Sequence, residues 1–394
     1  MKKTVRDFAL EGKKVIVRCD FNVPIVDGNI TDDSKIKASL DTIRYIIDQK
    51  GKVILLSHLG RIKDEIDKPH NTLRPVAEKL SVLLNQAVAF IPVTKGPQVE
   101  SAITNLSNGD IILIENTRYE DINQNKESNN DYELGKYWAS LGDIFINDAF
   151  GTLHRAHASN VGIASNLVSG IGFLVEKELN VMTPIINNPK RPLIVILGGK
   201  KVSDKIEVIE HLVTIADQII IGGAMCYTFL KAQGYQVGLS LVEDNQLGFC
   251  EEILKQYQQK IILPIDINVA LEYAPNAKGR IVSINNINYN EMGLDIGPQT
   301  INLYKNVLRP AKTVIWNGPM GVFEFNSFNI GTKSLCDFLS KQKITVLIGG
   351  GDSVAFVKKF GYQDKFTHIS TGGGATLELL SGKYLPGITI IDSK

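Results

Sequence analysis

The chain has 394 residues, which at roughly 100–200 residues per domain predicts two or three domains. Apolar residues make up 44% and charged residues 22%, which excludes disorder for most of the chain because disordered segments combine low hydrophobicity with high net charge. The formal net charge is +1, so the basic excess of a general nucleic-acid or membrane-surface binder is absent. No apolar run approaches the roughly 18–20 residues that span a bilayer.

The N-terminus and the cysteines both indicate a reducing compartment. Asp7 and Glu11 lie where a signal peptide needs an apolar stretch, so no secretion signal is expected. The cysteines lie far apart without a CxxC pair, a spacing that fits neither a disulfide framework nor a zinc site. They are Cys19, Cys226, Cys250 and Cys336. We therefore expect a cytoplasmic protein that binds neither nucleic acid nor a membrane.

Short apolar runs alternate with segments of helical periodicity along the whole chain. Such runs predict strands buried on both faces. They are Val15–Val17, Val53–Leu56, Ile111–Ile114, Ile144–Ile146, Leu193–Leu197, Gln218–Ile221, Lys260–Leu263, Thr313–Trp316, Thr345–Ile348 and His368–Ser370. The predicted helices include Ile36–Asp48, Val202–Ala216, Asn245–Tyr257 and Thr332–Ser340. This alternation predicts an α/β fold with parallel sheets.

The polar, proline-containing stretch Asn187–Pro192 is the best candidate for a domain boundary. It precedes a predicted strand, and the segment Gly172–Ile186 ahead of it has helical periodicity. We expect two Rossmann-like, three-layer domains with parallel sheets, at residues 1–171 and 188–379, joined by a connecting hinge helix over residues 172–187.

In the second half, glycine follows one predicted strand after another, and we expect a helix after each of these turns. Open α/β sheets bind ligands at the carboxyl ends of their strands, where glycine permits close backbone approach and helix N-termini offer free N–H groups. The turns are IVILGGK (Ile194–Lys200), IIIGGA (Ile219–Ala224), VIWNGP (Val314–Pro319), VLIGGGD (Val346–Asp352) and HISTGGG (His368–Gly374). A single glycine turn could be required only for tight backbone geometry, but five such turns at one edge of a sheet predict a binding site for phosphate or a nucleotide.

The predicted strand ends of the first half carry basic side chains instead. These side chains are Arg18, His58, Arg61, Arg118, His154, Arg155 and His157, with Asp20 and Asn22 as hydrogen-bonding partners. The planar arginine fork matches carboxylate and phosphate oxygens bidentately. A lone arginine is usually a solvated or ion-paired surface residue, whereas several at one sheet edge predict a site for a small, multiply charged anion.

An anion on one domain and a nucleotide on the other suggest that a group is transferred between them. The sequence contains neither GxxxxGK[ST] nor GxGxxG. Their absence argues against a P-loop protein and against a dinucleotide-dependent dehydrogenase, which would also need an acidic ribose-binding residue about 20 positions further on.

Ten motifs in chain order resemble the phosphoglycerate kinase family, and together they cover essentially the whole chain. They are RCDFNVP, ITDDSKIKASL, SHLGR, ENTRY, NDAFGTLHRAH, LGGKKVSDKI, IIGGAM, VIWNGPMGVFEF, IGGGDS and STGGGATLELL. The resemblance implies a bilobal glycolytic kinase that transfers a phosphoryl group reversibly between 1,3-bisphosphoglycerate and ADP, giving 3-phosphoglycerate and ATP. It also implies magnesium with the nucleotide, direct in-line transfer after hinge closure, a cytoplasmic monomer, and residues 380–394 packed on the N-terminal domain.

The resemblance assigns 3-phosphoglycerate to the N-terminal domain and the nucleotide to the C-terminal domain. The implied substrate-binding residues are Asp20, Asn22, Lys35, His58, Arg61, Arg118 and Arg155. The implied nucleotide-binding residues are Gly199, Lys201, Lys205, Gly222, Gly223, Leu294, Asn317, Glu324, Gly350, Gly351, Asp352 and Ser353. Glu324 resembles the ribose-binding residue, Leu294 matches the adenine pocket, and Asp352 resembles the ligand of the magnesium–nucleotide complex. The implied catalytic residues are Lys35, Lys201, Gly372, Gly373 and Gly374.

Three positions depart from the family pattern. Lys35 stands where the family usually has a catalytic arginine, so the charge is kept but the planar fork is lost. We expect Lys35 to do the same work less efficiently, or with help from Lys37. Lys200 replaces a small residue and is expected to face solvent, while Ile62 replaces a proline and affects only loop stiffness. The departure at Lys35 leaves one alternative open, a catalytically weakened paralogue that binds the same ligands.

Overall fold

The computed structural model describes residues 1–394, which form two units. One unit contains Met1–Asn180 together with Tyr384–Lys394, and the other contains Val181–Lys383. None of the helices combines the length and the apolar character that crossing a membrane would require.

The first unit is built on a six-stranded parallel sheet with the strand order β5-β6-β4-β1-β7-β8. Its strands are β1 (Lys14–Arg18), β4 (Lys52–Leu56), β5 (Val88–Ile91), β6 (Ile111–Ile114), β7 (Ile144–Asn147) and β8 (Ser169–Ile171), with a small hairpin of β2 (Ile25–Val26) and β3 (Asn29–Ile30). The helices are α1 (Ser34–Asp48), α2 (Arg74–Leu84), α3 (Pro97–Thr104), α4 (Tyr132–Ser140), α5 (Phe173–Asn187) and the C-terminal helix, numbered α13 by chain order (Pro386–Thr389). Helix α5 continues into the second unit.

Helices α1 and α2 pack on one face of the first sheet because their apolar residues recur at helical spacing. Ile36 and Ile43 of α1 and Leu80 of α2 are fully buried against Val15 and Val53 of the two central strands. Burying aliphatic side chains of this size stabilises the fold by roughly 1.5–3 kcal/mol each. The packed helices hold the sheet rigid, so the loops at its edge have a fixed base.

The second unit combines a six-stranded parallel sheet, ordered β11-β10-β9-β15-β16-β17, with a three-stranded antiparallel sheet, ordered β13-β12-β14. The strands are β9 (Leu193–Leu197), β10 (Gln218–Ile221), β11 (Ile261–Ile262), β12 (Asp266–Ala270), β13 (Arg280–Ser283), β14 (Met292–Ile296), β15 (Thr313–Asn317), β16 (Thr345–Gly349) and β17 (His368–Ile369). The helices are α6 (Ile206–Ile215), α7 (Met225–Ala232), α8 (Leu247–Tyr257), α9 (Pro298–Leu308), α10 (Ile330–Ser340), α11 (Gly351–Phe360) and α12 (Gly374–Leu380).

The α/β architecture with parallel sheets is confirmed. All pairings in both six-stranded sheets are parallel, so the carboxyl ends of each sheet's strands lie along one edge. The expectation that a helix follows each glycine turn is wrong after β15, where residues 318–329 form a loop that contains one short 3-10 helix. The sequence reading also missed the antiparallel sheet: β12 and β14 are buried, but acidic or amide residues interrupt their apolar runs, and β13 is mostly exposed.

The C-terminal segment is held to the first unit by backbone hydrogen bonds. The N–H of Gly387 donates to the carbonyl of Leu153 at 2.9 Å, and the N–H of Lys3 donates to the carbonyl of Asp392 at 2.8 Å. The side-chain ammonium of Lys2 also donates to the carbonyl of Thr389 at 2.9 Å. The N-terminal residues and the C-terminal segment therefore brace each other within this unit.

Candidate active site

A pocket of about 270 Å³ lies in the first unit, among loops that include those following β1, β4, β6 and β7. We call it the basic pocket. Its lining residues are Asn22, His58, Gly60, Arg61, Arg118, Gly151, Thr152, His154, Arg155 and His157. Three arginines and three histidines contribute to this lining and no carboxylate does, so the pocket attracts anions.

Asn116, which is fully buried, holds the loop after β4 in position. Its side-chain amide donates to the carbonyls of Leu59 at 2.7 Å and Asn71 at 2.8 Å, while its carbonyl oxygen accepts the Leu59 N–H at 3.1 Å. The side-chain oxygen of Asn22 accepts the N–H of Gly60 at 3.0 Å. These bonds fix the backbone that carries His58, and sequence reasoning gave Asn116 no role.

The guanidinium of Arg118 is only partly satisfied within the protein. Its Nη1 atom donates to Asp121 at 3.2 Å and to Ser128 at 3.1 Å. Its Nε atom is buried without a hydrogen-bond partner. A buried donor without a partner costs about 1–3 kcal/mol, so an anionic ligand that accepts from Arg118 would remove this cost.

The positive charge of the basic pocket comes from its arginines rather than from His58 or His157. Burial lowers the pKa of His157 to about 3, and Arg18 and Arg118 act in the same direction. Burial, followed by the charge of Arg18, also holds the pKa of His58 well below its usual value. Both histidines are therefore neutral near pH 7 and serve as hydrogen-bonding groups.

Asp20 and Lys35 do not line the basic pocket, although both are predicted substrate-binding residues. The Nζ atom of Lys35, at the start of α1, donates to Oδ2 of Asp20 at 2.8 Å. Burial raises the pKa of the Asp20 carboxyl, but the positive groups around it, with Lys35 in direct contact, outweigh that effect and keep the pKa low. The predicted set thus divides into five pocket residues and one adjacent ion pair.

Arg18 also differs from expectation. The sequence reading placed it among the basic loop residues, but it is the last residue of β1 and is completely buried. It does not line the basic pocket. Its side chain lies among internal polar groups, because the residues of β1 are covered on both faces of the sheet.

A second pocket, of about 580 Å³, lies in the second unit at the glycine-rich edge of its parallel sheet. We call it the glycine-edge pocket. Its lining residues are Gly199, Lys200, Gly223, Ala224, Tyr227, Leu239, Leu241, Tyr273, Met292, Gly293, Leu294, Pro319, Met320, Gly321, Val322, Phe323, Glu324 and Asp352. The walls are mostly apolar, while Glu324, Asp352 and Lys200 contribute the charged groups.

Close packing between neighbouring turns explains some of the glycines in this region. Gly223 has a φ of +63°, and a Cβ atom there would lie 2.4 Å from the backbone nitrogen of Gly199. Gly318 has a φ of +92°, and its Cβ would lie 2.3 Å from the carbonyl oxygen of Gly198. A Cβ on Gly222 would meet the sulfur of Met320 at 2.4 Å. These glycines bring the strand ends together and thereby shape the pocket.

The predicted nucleotide-binding residues divide into two groups. Those that line the pocket are Gly199, Gly223, Leu294, Glu324 and Asp352. Those that lie outside its lining are Lys201, Lys205, Gly222, Asn317, Gly350, Gly351 and Ser353. The predicted catalytic turn Gly372–Gly374 is also outside the lining, at the start of α12, where Gly373 has a φ of +52°.

Lys205 and Asn317 form a polar contact beside the pocket. The ammonium of Lys205 donates to the side-chain oxygen of Asn317, whose amide nitrogen donates to the carbonyl of Gly349 at 2.8 Å. Burial lowers the pKa of Lys205 to about 8, although Asp352 opposes this shift. The contact fixes Lys205 among the strand ends, so its ammonium has a defined position.

Sequence reasoning missed most of the apolar wall and the position of one lysine. Tyr273, Met320 and Phe323 line the pocket but belong to no recognisable binding pattern. Lys200 is exposed, as expected, and it also lines the glycine-edge pocket.

Comparisons with known proteins identify the family of the chain. The family profile described as phosphoglycerate kinase matches residues 5–383. Phosphoglycerate kinases of Staphylococcus aureus, including that of strain Newman, are 54% identical over 394 residues, covering 100% of both chains. The chain belongs to the phosphoglycerate kinase family.

Solved structures agree with this assignment. The phosphoglycerate kinase of Coxiella burnetii has a TM-score of 0.90 and 38% identity, with 99% of this chain and 98% of the other covered. That of Pyrococcus horikoshii has a TM-score of 0.85 and 32% identity, with the same coverage.

Membership of the phosphoglycerate kinase family establishes the reaction class. The chain is a phosphotransferase with a carboxyl group as acceptor, and its reaction interconverts 1,3-bisphosphoglycerate and ADP with 3-phosphoglycerate and ATP. The predicted family, fold and activity are confirmed, and nothing in the comparisons favours the weakened paralogue.

Proposed function

We propose that the basic pocket binds 3-phosphoglycerate and that the glycine-edge pocket binds ATP or ADP. The observation that carries this division is the contrast between the two linings. The first lining has three arginines and no carboxylate, while the second is mainly apolar with two carboxylates. A compact anion needs the former, and a nucleotide with an apolar base and a hydroxylated sugar needs the latter.

In the basic pocket, Arg61, Arg118 and Arg155 would hold the phosphate and carboxylate oxygens of 3-phosphoglycerate. Arg61 and Arg155 are exposed, and Arg118 retains a buried Nε–H without a partner. Charge-assisted hydrogen bonds from arginine are roughly twice as strong as neutral ones. Asn22 and His58 would add neutral contacts that orient the ligand.

In the glycine-edge pocket, Leu294 and Tyr273 offer apolar surface for the base. The carboxylate of Glu324 would accept hydrogen bonds from the ribose hydroxyls. The loop that carries it is anchored by Lys359, whose ammonium donates to the carbonyl of Glu324 at 2.7 Å and to that of Phe323 at 3.0 Å. Anchoring the backbone leaves the Glu324 carboxylate available for the ligand.

Phosphoryl transfer depends mainly on positioning and on neutralising oxygen charge. Lys201, Lys205 and the turn Gly372–Gly374 would act at the phosphates of the nucleotide, and Lys35 would act at the acceptor carboxylate. A carboxylate acceptor is already ionised near pH 7, so no general base is required. The four cysteines are buried, and no covalent enzyme intermediate is proposed.

The residues present fit a magnesium ion that arrives with the nucleotide. No group of three or more His, Cys, Asp or Glu side chains is placed to hold a metal. Magnesium commonly binds through one or two carboxylates together with substrate phosphates and water. Asp352, an exposed residue in the first turn of α11 that lines the pocket, would supply such a carboxylate. When bound, the ion would neutralise charge on the phosphate oxygens.

A crossed binding experiment tests the division between the pockets. We expect Arg155→Met to weaken binding of 3-phosphoglycerate at least about tenfold and to leave ADP affinity unchanged. Glu324→Gln should weaken binding of ADP but not of 3-phosphoglycerate. Calorimetric titration of both variants with both ligands gives four affinities. If Arg155→Met lost affinity for ADP but kept its affinity for 3-phosphoglycerate, the assignment would be contradicted.

The domain limits at residues 1–171, 172–187 and 188–379, the cytoplasmic location and the monomeric state remain predictions. Analytical ultracentrifugation over a range of protein concentrations tests the last of these. A single species near the 43.4 kDa mass of the chain is expected.

A further inference from the structure

A buried chain of polar groups connects the interior of the first unit to the basic pocket through Arg18. This side chain has 0% exposure. Its Nε atom donates to the hydroxyl of Ser159 at 2.8 Å, and its Nη1 atom donates to the carbonyl of Cys19. Its Nη2 atom lies 3.2 Å from Nδ1 of His58. Three atoms of the guanidinium are thus engaged, which fixes its orientation.

The chemistry of arginine determines the direction of the contact with His58. A guanidinium carries only N–H donors and does not lose a proton in proteins. The Nδ1 atom of His58 must therefore accept from Arg18 and cannot carry a proton itself. A neutral imidazole whose Nδ1 is an acceptor carries its proton on Nε2.

Burial and the surrounding charges keep His58 neutral. Burial lowers the pKa of His58 most, and Arg18, Arg118 and Lys35 also oppose a positive charge on the ring, while Asp20 favours one. The other titratable side chains in the pocket lining are Arg61, Arg155, His154 and His157. Protonation would also place an N–H on Nδ1, directly against the donor of Arg18. The imidazolium form is therefore disfavoured by charge and by hydrogen-bond geometry.

Glu127 balances the charge of Arg18 from the other side. Its side chain has 0% exposure and accepts the N–H of Ser159 at 2.9 Å and the hydroxyl of the same residue. Burial raises the pKa of Glu127, while Arg18 lowers it. Ser159 thus links Glu127 to Arg18, and Arg18 links this pair to His58. Each member orients the next.

We propose that Arg18 is a positioning residue that locks His58 in the tautomer with its proton on Nε2, and so gives the basic pocket a fixed hydrogen-bond donor for an oxygen of the bound anion. His58 lines the basic pocket, and the hydrogen-bond contact of its ring is the one at Nδ1, so the Nε2 donor is available to a ligand. The part of this inference that concerns the ligand rests on the proposed binding of 3-phosphoglycerate. The tautomer itself does not, and it can be measured in the ligand-free protein.

Nitrogen NMR of the ¹⁵N-labelled full chain tests the tautomer directly. Long-range ¹H–¹⁵N correlation distinguishes protonated from unprotonated ring nitrogens, and His58→Gln assigns the signals by removing them. We expect an unprotonated Nδ1, a protonated Nε2 and a scalar coupling between Arg18 Nη2 and His58 Nδ1 near pH 7. A proton on Nδ1 in the wild type, either as the other tautomer or as imidazolium, would overturn the inference.

A charge-balanced substitution tests the role of Arg18. Arg18→Met alone would leave Glu127 buried without its partner, so Arg18→Met is combined with Glu127→Gln. In this double variant we expect both His58 tautomers to be populated and the affinity for 3-phosphoglycerate to fall about tenfold, with ADP affinity unchanged. Arg44→Met, at an exposed arginine of the same unit, serves as the control and should alter neither the tautomer of His58 nor the affinity for 3-phosphoglycerate.

A comparison through His58 separates positioning from general destabilisation. In a His58→Gln background there is no tautomer to lock, so the double substitution should weaken 3-phosphoglycerate binding much less than it does with His58 present. Equal losses in both backgrounds would show that Arg18 does not act through His58.

If the double variant does not fold, the scalar coupling across the Arg18–His58 hydrogen bond in the wild type decides. Its presence supports the inference and its absence overturns it. If the wild-type protein shows the proton on Nε2 of His58 but does not bind 3-phosphoglycerate, the proposed function is contradicted and the inference about the tautomer is not.

Discussion

The Nζ atom of Lys35 lies 2.8 Å from Oδ2 of Asp20. Lys35 occupies the position where the family usually has arginine. An ammonium is a compact charge, whereas an arginine fork can engage a carboxylate and a substrate oxygen with different N–H groups. The Lys35 side chain is 32% exposed, so it remains accessible to a ligand. The single ammonium group of Lys35 therefore has to interact with both Asp20 and the reacting carboxylate.

Replacement of Lys35 tests its catalytic role. We expect Lys35→Ala to lower kcat about a hundredfold, which is the usual cost of removing one charged donor from a transition state, with little change in nucleotide affinity. Lys35→Arg should equal or exceed the wild-type kcat, because it restores the fork. Steady-state kinetics with ATP and 3-phosphoglycerate measure both effects. Unchanged turnover in Lys35→Ala would exclude the assignment.

The binding of nucleotide is expected to weaken at alkaline pH because of Lys205. Burial lowers the pKa of this lysine to about 8, so its positive charge is lost as the pH rises through that value. Above pH 8, ADP must bind together with a proton, and the affinity should fall by up to about tenfold per pH unit. Calorimetry from pH 7 to about 9.5 measures this.

Two variants serve as controls for the Lys205 prediction. Lys205→Arg should bind ADP with little pH dependence, because a guanidinium stays charged throughout this range. Lys205→Met should bind weakly at every pH with a flat profile. If wild type and Lys205→Met show the same pH dependence, Lys205 is not the responsible group.

Asp148 should make the first unit less stable above neutral pH. Its Oδ1 atom accepts the N–H groups of Leu174, at 2.9 Å, and Val175 in the first turn of α5, while its Oδ2 atom is buried without a partner. Burial raises the pKa from 3.8 to about 7. Because the folded pKa is raised, the folded state binds more protons than the unfolded state between about pH 4 and pH 7. The free energy of unfolding therefore falls across that window, by about 1.4 kcal/mol per unit of pKa shift.

Thermal unfolding of Asp148→Asn tests this pH dependence. Asparagine can still accept the N–H groups of α5 but carries no charge, so the variant should gain stability relative to wild type as the pH rises from 5 to 8. Asp143→Asn is the matched control, since Asp143 accepts the N–H of Lys14 at 2.8 Å near the protein surface. A constant difference in Tm between Asp148→Asn and wild type across this range would contradict the prediction.

Lys200 should strengthen the binding of nucleotide phosphates. It is the only lysine or arginine among the residues that line the glycine-edge pocket, which also contains the carboxylates of Glu324 and Asp352. We expect Lys200→Ala to weaken ATP and ADP binding about threefold at low salt and less at high salt, with adenosine binding unchanged. Lys341→Ala, at an exposed lysine paired with Asp337, is the control. Equal losses for adenosine and ATP would show that Lys200 does not act on the phosphates.

Much of the fold could be predicted because parallel strands leave a strong pattern. The buried runs at β1, β4, β9 and β15 are continuous and apolar, and parallel pairing brings their carboxyl ends to one edge. The positions of both pockets follow from that edge. The antiparallel sheet was missed because Asp and Asn residues interrupt the apolar runs of β12 and β14 and because β13 is exposed.

The details of the sites depended on which way individual side chains point. Arg18 is buried because β1 is covered on both faces, and no sequence pattern reveals whether an arginine at such a strand end faces a pocket or the interior. The pairing of Lys35 with Asp20 joins groups on two separate elements, so spacing could not predict it. Likewise, Met320 and Phe323 come from the loop after β15, where a helix was expected.

Trapping of the acyl phosphate tests the central claim most directly. The purified chain is incubated with ATP, magnesium and 3-phosphoglycerate in the presence of hydroxylamine, which converts an acyl phosphate into a hydroxamate. We predict that hydroxamate forms in step with ADP, requires both substrates, and falls strongly in Arg155→Met. ADP released without hydroxamate, or hydroxamate formed at the same rate in Arg155→Met, would contradict phosphoryl transfer to a 3-phosphoglycerate held in the basic pocket.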